Sequence, residues 1–120
     1  KYTDTGGQYA NIQFELADGA TFDLSTKNEF KVKVYVPTPA VAHTQSKTLW
    51  LKLQDGTSGE PWNSQVQKEQ TYEYDTWTEL TFDFSESSAR TEFNKVIVQF
   101  NGENNYEAVT AYIDDFSYTN

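Results

Sequence analysis

The sequence predicts an all-β protein, an antiparallel β-sandwich of about eight strands. Apolar and polar residues alternate one by one in most segments, which is the two-residue period of a strand with one buried face. Turn-forming residues separate these segments, and the strand–helix alternation of a parallel sheet is absent. The alternating segments are 12–16, 21–24, 30–36, 49–53, 80–84, 96–100 and 112–118, and a further strand is expected within 65–75.

Glycine and proline mark the connections between these strands. Both residues favour chain reversal, because glycine accepts and proline fixes backbone angles that other residues avoid. Ser85 begins the one stretch with helical character, a short turn within 86–93. The turn signals are Ala17-Asp18-Gly19, Pro37-Thr38-Pro39, Asp55-Gly56 and Asn101-Gly102.

The composition indicates a single acidic domain. The 120 residues suffice for one core, and we expect residues 1–120 to form one module. Methionine is absent even at position 1, so we expect this module to come from a longer polypeptide. Without cysteine the chain has no disulfide, zinc-thiolate site or cysteine nucleophile. A net charge of −9 disfavours nucleic acids and anionic membranes as partners, and no apolar run approaches the ~20 residues of a membrane span.

Catalytic motifs are sparse, and we expect a protein that is not an enzyme. The single histidine, His43, lies in a polar loop without the nucleophile motif that a Ser-His-Asp triad would need. A glycosidase needs two carboxylates in a cleft, and Glu79 and Asp83 share one face of a strand. Acidic side chains are common on exposed faces, so we interpret this pair as solubilising charge and predict no catalytic residues.

Two adjacent aspartates, Asp114 and Asp115, lie in the last predicted strand. Because successive strand side chains point to opposite faces, we expect one of the two carboxylates to point into the protein. A buried carboxylate needs a cation or several hydrogen-bond donors. The sequence therefore predicts either a metal ion or a buried polar knot at this strand.

The three tryptophans have different predicted roles. Trp77 opens a strand rich in apolar residues, and we expect it in the core. Trp50 alternates with leucines, so it shares the outer face of its strand with Lys52 and Gln54. Trp62 lies in a polar loop, where an aromatic ring favours a contact role. The alternatives are that a loop or a neighbouring domain covers Trp50, and that Trp62 anchors its own loop to the sandwich.

Aromatic rings beside amine and amide groups are typical of sugar-binding sites, because a sugar ring has apolar C–H faces and polar hydroxyls. Tyr72 and Tyr74 are expected to project together, and Gln99 and Asn101 to share one face of their strand. The predicted carbohydrate-binding residues are Trp50, Lys52, Gln54, Trp62, Tyr72, Tyr74, Gln99 and Asn101.

Four motifs together resemble a known family. They are Leu-Trp-Leu-Lys-Leu at 49–53, Trp-Thr-Glu-Leu-Thr-Phe-Asp-Phe at 77–84, Asn-Lys-Val-Ile-Val-Gln-Phe-Asn at 94–101 and Tyr-Ile-Asp-Asp-Phe at 112–116. Over about residues 8–118 the chain resembles the β-jelly-roll carbohydrate-binding modules that are attached to secreted polysaccharide-degrading enzymes of bacteria, notably Bacteroidetes. The position of Trp50 is often aliphatic in such modules.

The resemblance implies a non-catalytic module, secreted or held at the cell surface, with a covalently linked glycoside hydrolase or lyase as its partner. It also implies a structural calcium ion with Asp115 or Asp114 as a ligand, to which Asp4 and its neighbours in the N-terminal segment would add others. In such modules the tryptophan at the position of Trp77 is structural. The metal-free polar knot stays open as the alternative to calcium.

Three functions are consistent with these observations. The first is a carbohydrate-binding module for a neutral β-glucan, with xylan or mannan next and alginate last, because the acidity of the chain disfavours polyanionic glycans. The second is a structural spacer or docking β-sandwich in a multidomain surface protein, with its tryptophans buried against neighbouring domains. The third is a small hydrolase or lyase acting on glycans.

Overall fold

The computed structural model describes residues 2–4, 12–17, 19–38, 47–100 and 109–119. Within these residues the chain forms two four-stranded antiparallel sheets. Two short 3₁₀ helices, Pro61–Ser64 and Ser85–Ser87, join strands. No helix in this part of the chain is long and apolar enough to cross a membrane. The strands are β1 (Tyr2–Asp4), β2 (Ile12–Glu15), β3 (Glu29–Tyr35), β4 (Thr48–Gln54), β5 (Val66–Thr71), β6 (Trp77–Asp83), β7 (Lys95–Phe100) and β8 (Val109–Thr119).

The strand order is that of a jelly roll. The first sheet has the order β1-β8-β3-β6 and the second sheet has the order β2-β7-β4-β5. Every connection between consecutive strands passes from one sheet to the other, except the one that joins β4 to β5. This alternation produces a two-layer sandwich with a shared interior. The predicted all-β antiparallel sandwich is therefore confirmed.

The core fills the space between the two sheets. β3 points Phe30, Val32 and Val34 inward, and β4 does the same with its three leucines. Burying each of these side chains contributes roughly 1.5–3 kcal/mol to stability. Phe30 lies at the centre, with the ring centroids of Phe22 and Tyr118 at 5.4 Å and 5.0 Å from its own. Alternation in the sequence thus becomes one apolar face on each sheet.

The segment 21–24 was expected to be a strand, and this is wrong. The segment is a loop, although it buries Phe22 and Leu24 in the core. The carboxylate of Asp23 accepts a hydrogen bond from the amide of Ser25 at 3.1 Å, which turns the chain away from an extended course. The first sheet is completed instead by β1, a strand that the alternation did not predict.

Tyr72 and Tyr74 were expected to project outward together, and this is also wrong. Tyr72 is 1% exposed and belongs to the core, where its ring packs edge-on against Phe100 at 5.9 Å. Tyr74 is partly buried and packs on the same cluster. Both tyrosines have the same parity as Val66, which lies opposite the inward-facing Leu53 in the pairing of β5 with β4, so both face the interior.

A β-bulge in β8 overturns the expectation that Asp114 and Asp115 point to opposite faces. Lys31 pairs with Ser117 and Lys33 pairs with Asp114, so β8 carries one residue more than β3 between these pairs. Asp115 takes up the extra residue in the left-handed region, with φ at 50°. Both aspartates are exposed, and the apolar residues on either side of them still face the interior.

Acid is expected to destabilise the fold, because several carboxylates accept hydrogen bonds in the folded state, and these bonds lower the pKa of the carboxyl groups. The hydroxyl and the amide of Thr38 donate to Asp75 and lower the pKa of that aspartate, and Arg90 lowers the pKa of Glu92. A carboxylate whose pKa is lower in the folded state contributes stability that is complete above its unfolded pKa and is lost as the pH falls through its folded pKa. The melting temperature should therefore hold near neutral pH and fall below about pH 4.

Asp75→Asn tests one of these groups. Its melting temperature should lie below that of the wild type at about pH 7, and the gap should narrow at about pH 3. Glu69→Gln, at an exposed position of β5, serves as the control that removes one negative charge elsewhere. A gap for Asp75→Asn that stays constant with pH would contradict the expectation.

Candidate functional site

Three aromatic side chains form a continuous row across the outer face of the first sheet. Tyr35 of β3 lies directly opposite Tyr112 of β8 on one side and Trp77 of β6 on the other. The Tyr35 ring centroid lies 6.3 Å from that of Tyr112 and 5.7 Å from that of Trp77. Trp77 is 53% exposed and Tyr112 is 39% exposed, with Tyr35 partly buried between them. We call these three residues the aromatic row.

The exposure of Trp77 corrects the expectation that it lies in the core. Leu80 and Phe82 face the interior, so every residue of β6 with an odd number faces outward. Trp77 has this outward parity, and its neighbour Tyr35 has the same parity in β3. The alternation of β6 therefore contained the signal that places Trp77 on the surface.

Charged side chains lie beside the aromatic row on the same face. Lys33 is directly opposite Asp114 on one side and Glu79 on the other, two residues along the strands from the aromatic row. The Lys33 ammonium donates to the Asp115 carboxylate at 3.0 Å. This hydrogen bond, followed by the negative charge of Asp115, raises the pKa of Lys33. We call these four residues, Lys33, Glu79, Asp114 and Asp115, the charged row.

The predicted residues of the second sheet come together, but their face is not open. β4 and β7 are neighbours, and Trp50 lies directly opposite Gln99. Gln99 is 2% exposed, and Lys52 and Gln54 are each 5% exposed. The Gln54 amide already donates to a side-chain oxygen of Gln65 at 2.6 Å. Only Trp50, which is partly buried, retains some accessible surface, and Asn101 lies outside the residues that the structure describes.

Trp62 is the most exposed tryptophan and stands apart from the aromatic row. It is 60% exposed and lies in the 3₁₀ helix that follows β4. Arg90 donates to the backbone oxygen of Ser64 at 2.9 Å, which fixes this helix to the segment that follows β6. Arg90 follows the end of β6, whereas the aromatic row lies at the beginning of that strand. The length of β6 separates its two ends by about 20 Å. Trp62 and the aromatic row therefore lie at opposite ends of the sandwich.

The predicted calcium ligands Asp114 and Asp115 are both exposed on the outer face of the first sheet. Calcium takes six to eight oxygen ligands at about 2.3–2.6 Å. Among the described residues, no three acidic or histidine side chains come close enough to hold a metal ion. Asp4 lies opposite Val109, five residues and about 16 Å along β8 from Asp114, so one ion would not bridge those two positions. The predicted role of calcium stays a prediction, and the ammonium of Lys33 faces the pair instead.

The proposed glycosidase pair is also separated. Glu79 and Asp83 are both exposed on the outer face of β6, four residues apart. That spacing corresponds to about 13 Å along a strand, whereas glycosidase carboxylates lie about 5–10 Å apart. His43 lies outside the described residues. The described part of the chain therefore brings together aromatic rings and charges rather than a recognisable catalytic pair.

Comparisons with protein-family models, with curated proteins and with solved structures find no match to this chain. Function is therefore argued from the residues of the aromatic row and its surroundings.

The different environments of Trp77 and Tyr72 predict that replacing them with alanine destabilises the protein to different extents. Trp77→Ala should change the free energy of unfolding by at most about 1 kcal/mol, because more than half of the side chain is already in water. Tyr72→Ala should cost about 3–5 kcal/mol, because it leaves a cavity in the core. Denaturant titration followed by circular dichroism measures both values. Equal losses in the two variants would mean that Trp77 is packed as a core residue.

Proposed function

We propose that this protein is a non-catalytic carbohydrate-binding module, and that it binds a neutral polysaccharide, a β-glucan in the first place, on the aromatic row. The observation that carries the proposal is a row of three adjacent rings on the outer face of a regular sheet, of which Trp77 and Tyr112 are exposed and Tyr35 is partly buried. Large exposed apolar surfaces on a soluble domain mark contact sites. The module would act in a secreted or cell-surface protein, as a covalently linked partner of a glycoside hydrolase or lyase.

The shape of the aromatic row suits a sugar chain. Its three rings come from three adjacent strands, so the outer two strands are about 10 Å apart. The planes of Trp77 and Tyr112 are tilted by 49° and 62° to that of Tyr35, so the row is stepped rather than flat, and each ring would contact the C–H face of a separate sugar unit. The strands are held by the core, so the rings need little reorganisation when a ligand binds, which lowers the entropy cost of binding.

Polar groups complete the description of a sugar site. Glu79 and Asp114 lie one side-chain position from the aromatic row on the same face, where their oxygens accept hydrogen bonds from hydroxyl groups. Lys33 offers donors from the middle strand. The role of such a module is to raise the local concentration of its attached enzyme at the polysaccharide, so modest affinity suffices.

The second candidate, a docking or spacer sandwich, uses the same exposed rings. In that case a neighbouring domain of the same protein would cover Trp77 and Tyr112, and isolated chains would show no affinity for glycans. The exposed aromatic rings are consistent with both candidate functions, and an assay of glycan binding by the isolated chain distinguishes between them.

Affinity electrophoresis tests the proposal. Native gels would contain laminarin, mixed-linkage glucan, xylan, glucomannan or alginate, and the wild-type protein should be retarded by at least one neutral glycan. Trp77→Ala and Tyr112→Ala should each weaken binding by about 1–3 kcal/mol, because each removes an aromatic contact from the interface. Trp62→Ala is the matched control, since it removes an equally exposed tryptophan from the opposite end of the sandwich.

Two outcomes would overturn the proposal. If none of the five glycans retards the folded protein with calcium present, the docking sandwich becomes the better interpretation. If Trp62→Ala abolishes retardation while Trp77→Ala does not, the module binds glycans through its 3₁₀ helix and the aromatic row is not the site.

A further inference from the structure

We propose that the charged row makes the aromatic row selective for uncharged glycans over glycans that carry carboxylate or sulfate groups. This inference rests on the proposed function, because it concerns which sugars the same surface accepts. Glu79, Asp114 and Asp115 are the residues that exclude the anionic ligands. Lys33 would attract such ligands if it were unpaired, and Asp115 pairs with it.

The register places the charged row within reach of a bound sugar. Lys33, Glu79 and Asp114 each lie two residues from a member of the aromatic row, about 7 Å along the strand on the same face. Substituents of a sugar ring stacked on Tyr35 or Trp77 therefore project toward these side chains. Glu79, Asp114 and Asp115 are all exposed, so no described part of the chain separates them from a ligand on the aromatic row.

The bulge increases the negative charge next to the ligand. With regular alternation, only one aspartate of β8 would face outward, and the row of Asp114, Lys33 and Glu79 would carry a net charge of −1. The bulge adds Asp115 to the outer face, and the net charge of the charged row becomes −2. Asp115 also holds the only ammonium of the row at 3.0 Å. A carboxylate on the sugar consequently meets unpaired negative charge.

The size of the effect follows from Coulomb's law. One unit charge at roughly 6 Å from another changes binding by about threefold in water. Salt reduces this effect, because the screening length is about 8 Å at physiological ionic strength. Charges several residues further along the strand are therefore expected to contribute little.

The experiment compares neutral glycans with their carboxylated derivatives on the same backbone. Calorimetric titration would use laminarin against carboxymethyl laminarin, and hydroxyethyl cellulose against carboxymethyl cellulose. The wild-type protein should prefer the neutral member of the pair it binds, and added salt should reduce the preference. Asp115→Asn should narrow the preference for the neutral glycan by about threefold, without weakening the binding of the neutral glycan.

Two further variants make the test specific to the site. Lys33→Gln removes the positive charge of the row and should widen the preference for the neutral glycan. Glu29→Gln changes the net charge of the protein by the same amount as Asp115→Asn, but Glu29 lies four residues and about 13 Å along β3 from Lys33. The Glu29→Gln variant should prefer the neutral glycan as strongly as the wild-type protein does. Asparagine accepts the left-handed backbone angle, so Asp115→Asn should keep the bulge, which its melting temperature will verify.

The outcomes separate the inference from the function on which it rests. If neither neutral glycan nor any of the five panel glycans binds, the proposed function fails. If a neutral glycan binds and its carboxymethyl derivative binds equally well or better, the selectivity is absent and the inference fails. The inference also fails if Glu29→Gln shifts the preference as much as Asp115→Asn, because the total charge of the protein would then explain the effect.

Discussion

The burial of the inner face of β3 is the constraint on which the rest of the molecule depends. Phe30 contacts rings that come from the loop before β3, from the end of β6 and from β8. A slip of one residue in the pairing of β3 would turn Phe30, Val32 and Val34 toward water and lose roughly 1.5–3 kcal/mol for each. The core therefore fixes the register of β8 and β6 against β3. Everything on the outer face, including the aromatic row, is positioned by that register.

The bulge in β8 follows from the same constraint. Tyr118 and Ile113 both pack against the core, yet the number of residues between them does not match the regular alternation of two strands. One residue must be accommodated outside the ladder, and aspartate tolerates the left-handed angle better than most residues do. The consequence is a second outward carboxylate beside Lys33. The ammonium of this lysine is a cation next to the aspartate pair.

Alternation along the chain was sufficient to predict the sandwich, most of its strands and the inward leucines of β4. It was also sufficient to place Trp77 on the surface, because Trp77 alternates with the inward-facing Leu80 and Phe82. The prediction that Trp77 is buried followed instead from the apolar character of the segment. The burial of Tyr72 agrees with the same alternation, because Tyr72 lies six residues from Val66, which packs against the core. The burial of Lys52 and Gln99 was beyond a periodicity argument, because coverage of an outer face is set by residues distant in sequence. Predicting the bulge would require the pairing of β3 with β8, and the sequence of β8 alone does not contain that pairing.

The two faces of β3 separate stability from binding. Its inner side chains are fully buried and contribute to the free energy of folding, whereas its outer residue Tyr35 is only partly buried and lies between the exposed rings of Trp77 and Tyr112. Exposed rings add little to stability, so substitutions among them would alter a contact surface and leave the fold intact. The rings project from strands that the core already holds, so the pairing of those strands sets their spacing along the sheet. If the proposed glycan binding takes place on this surface, the charged row beside it is the element that would distinguish one glycan from another.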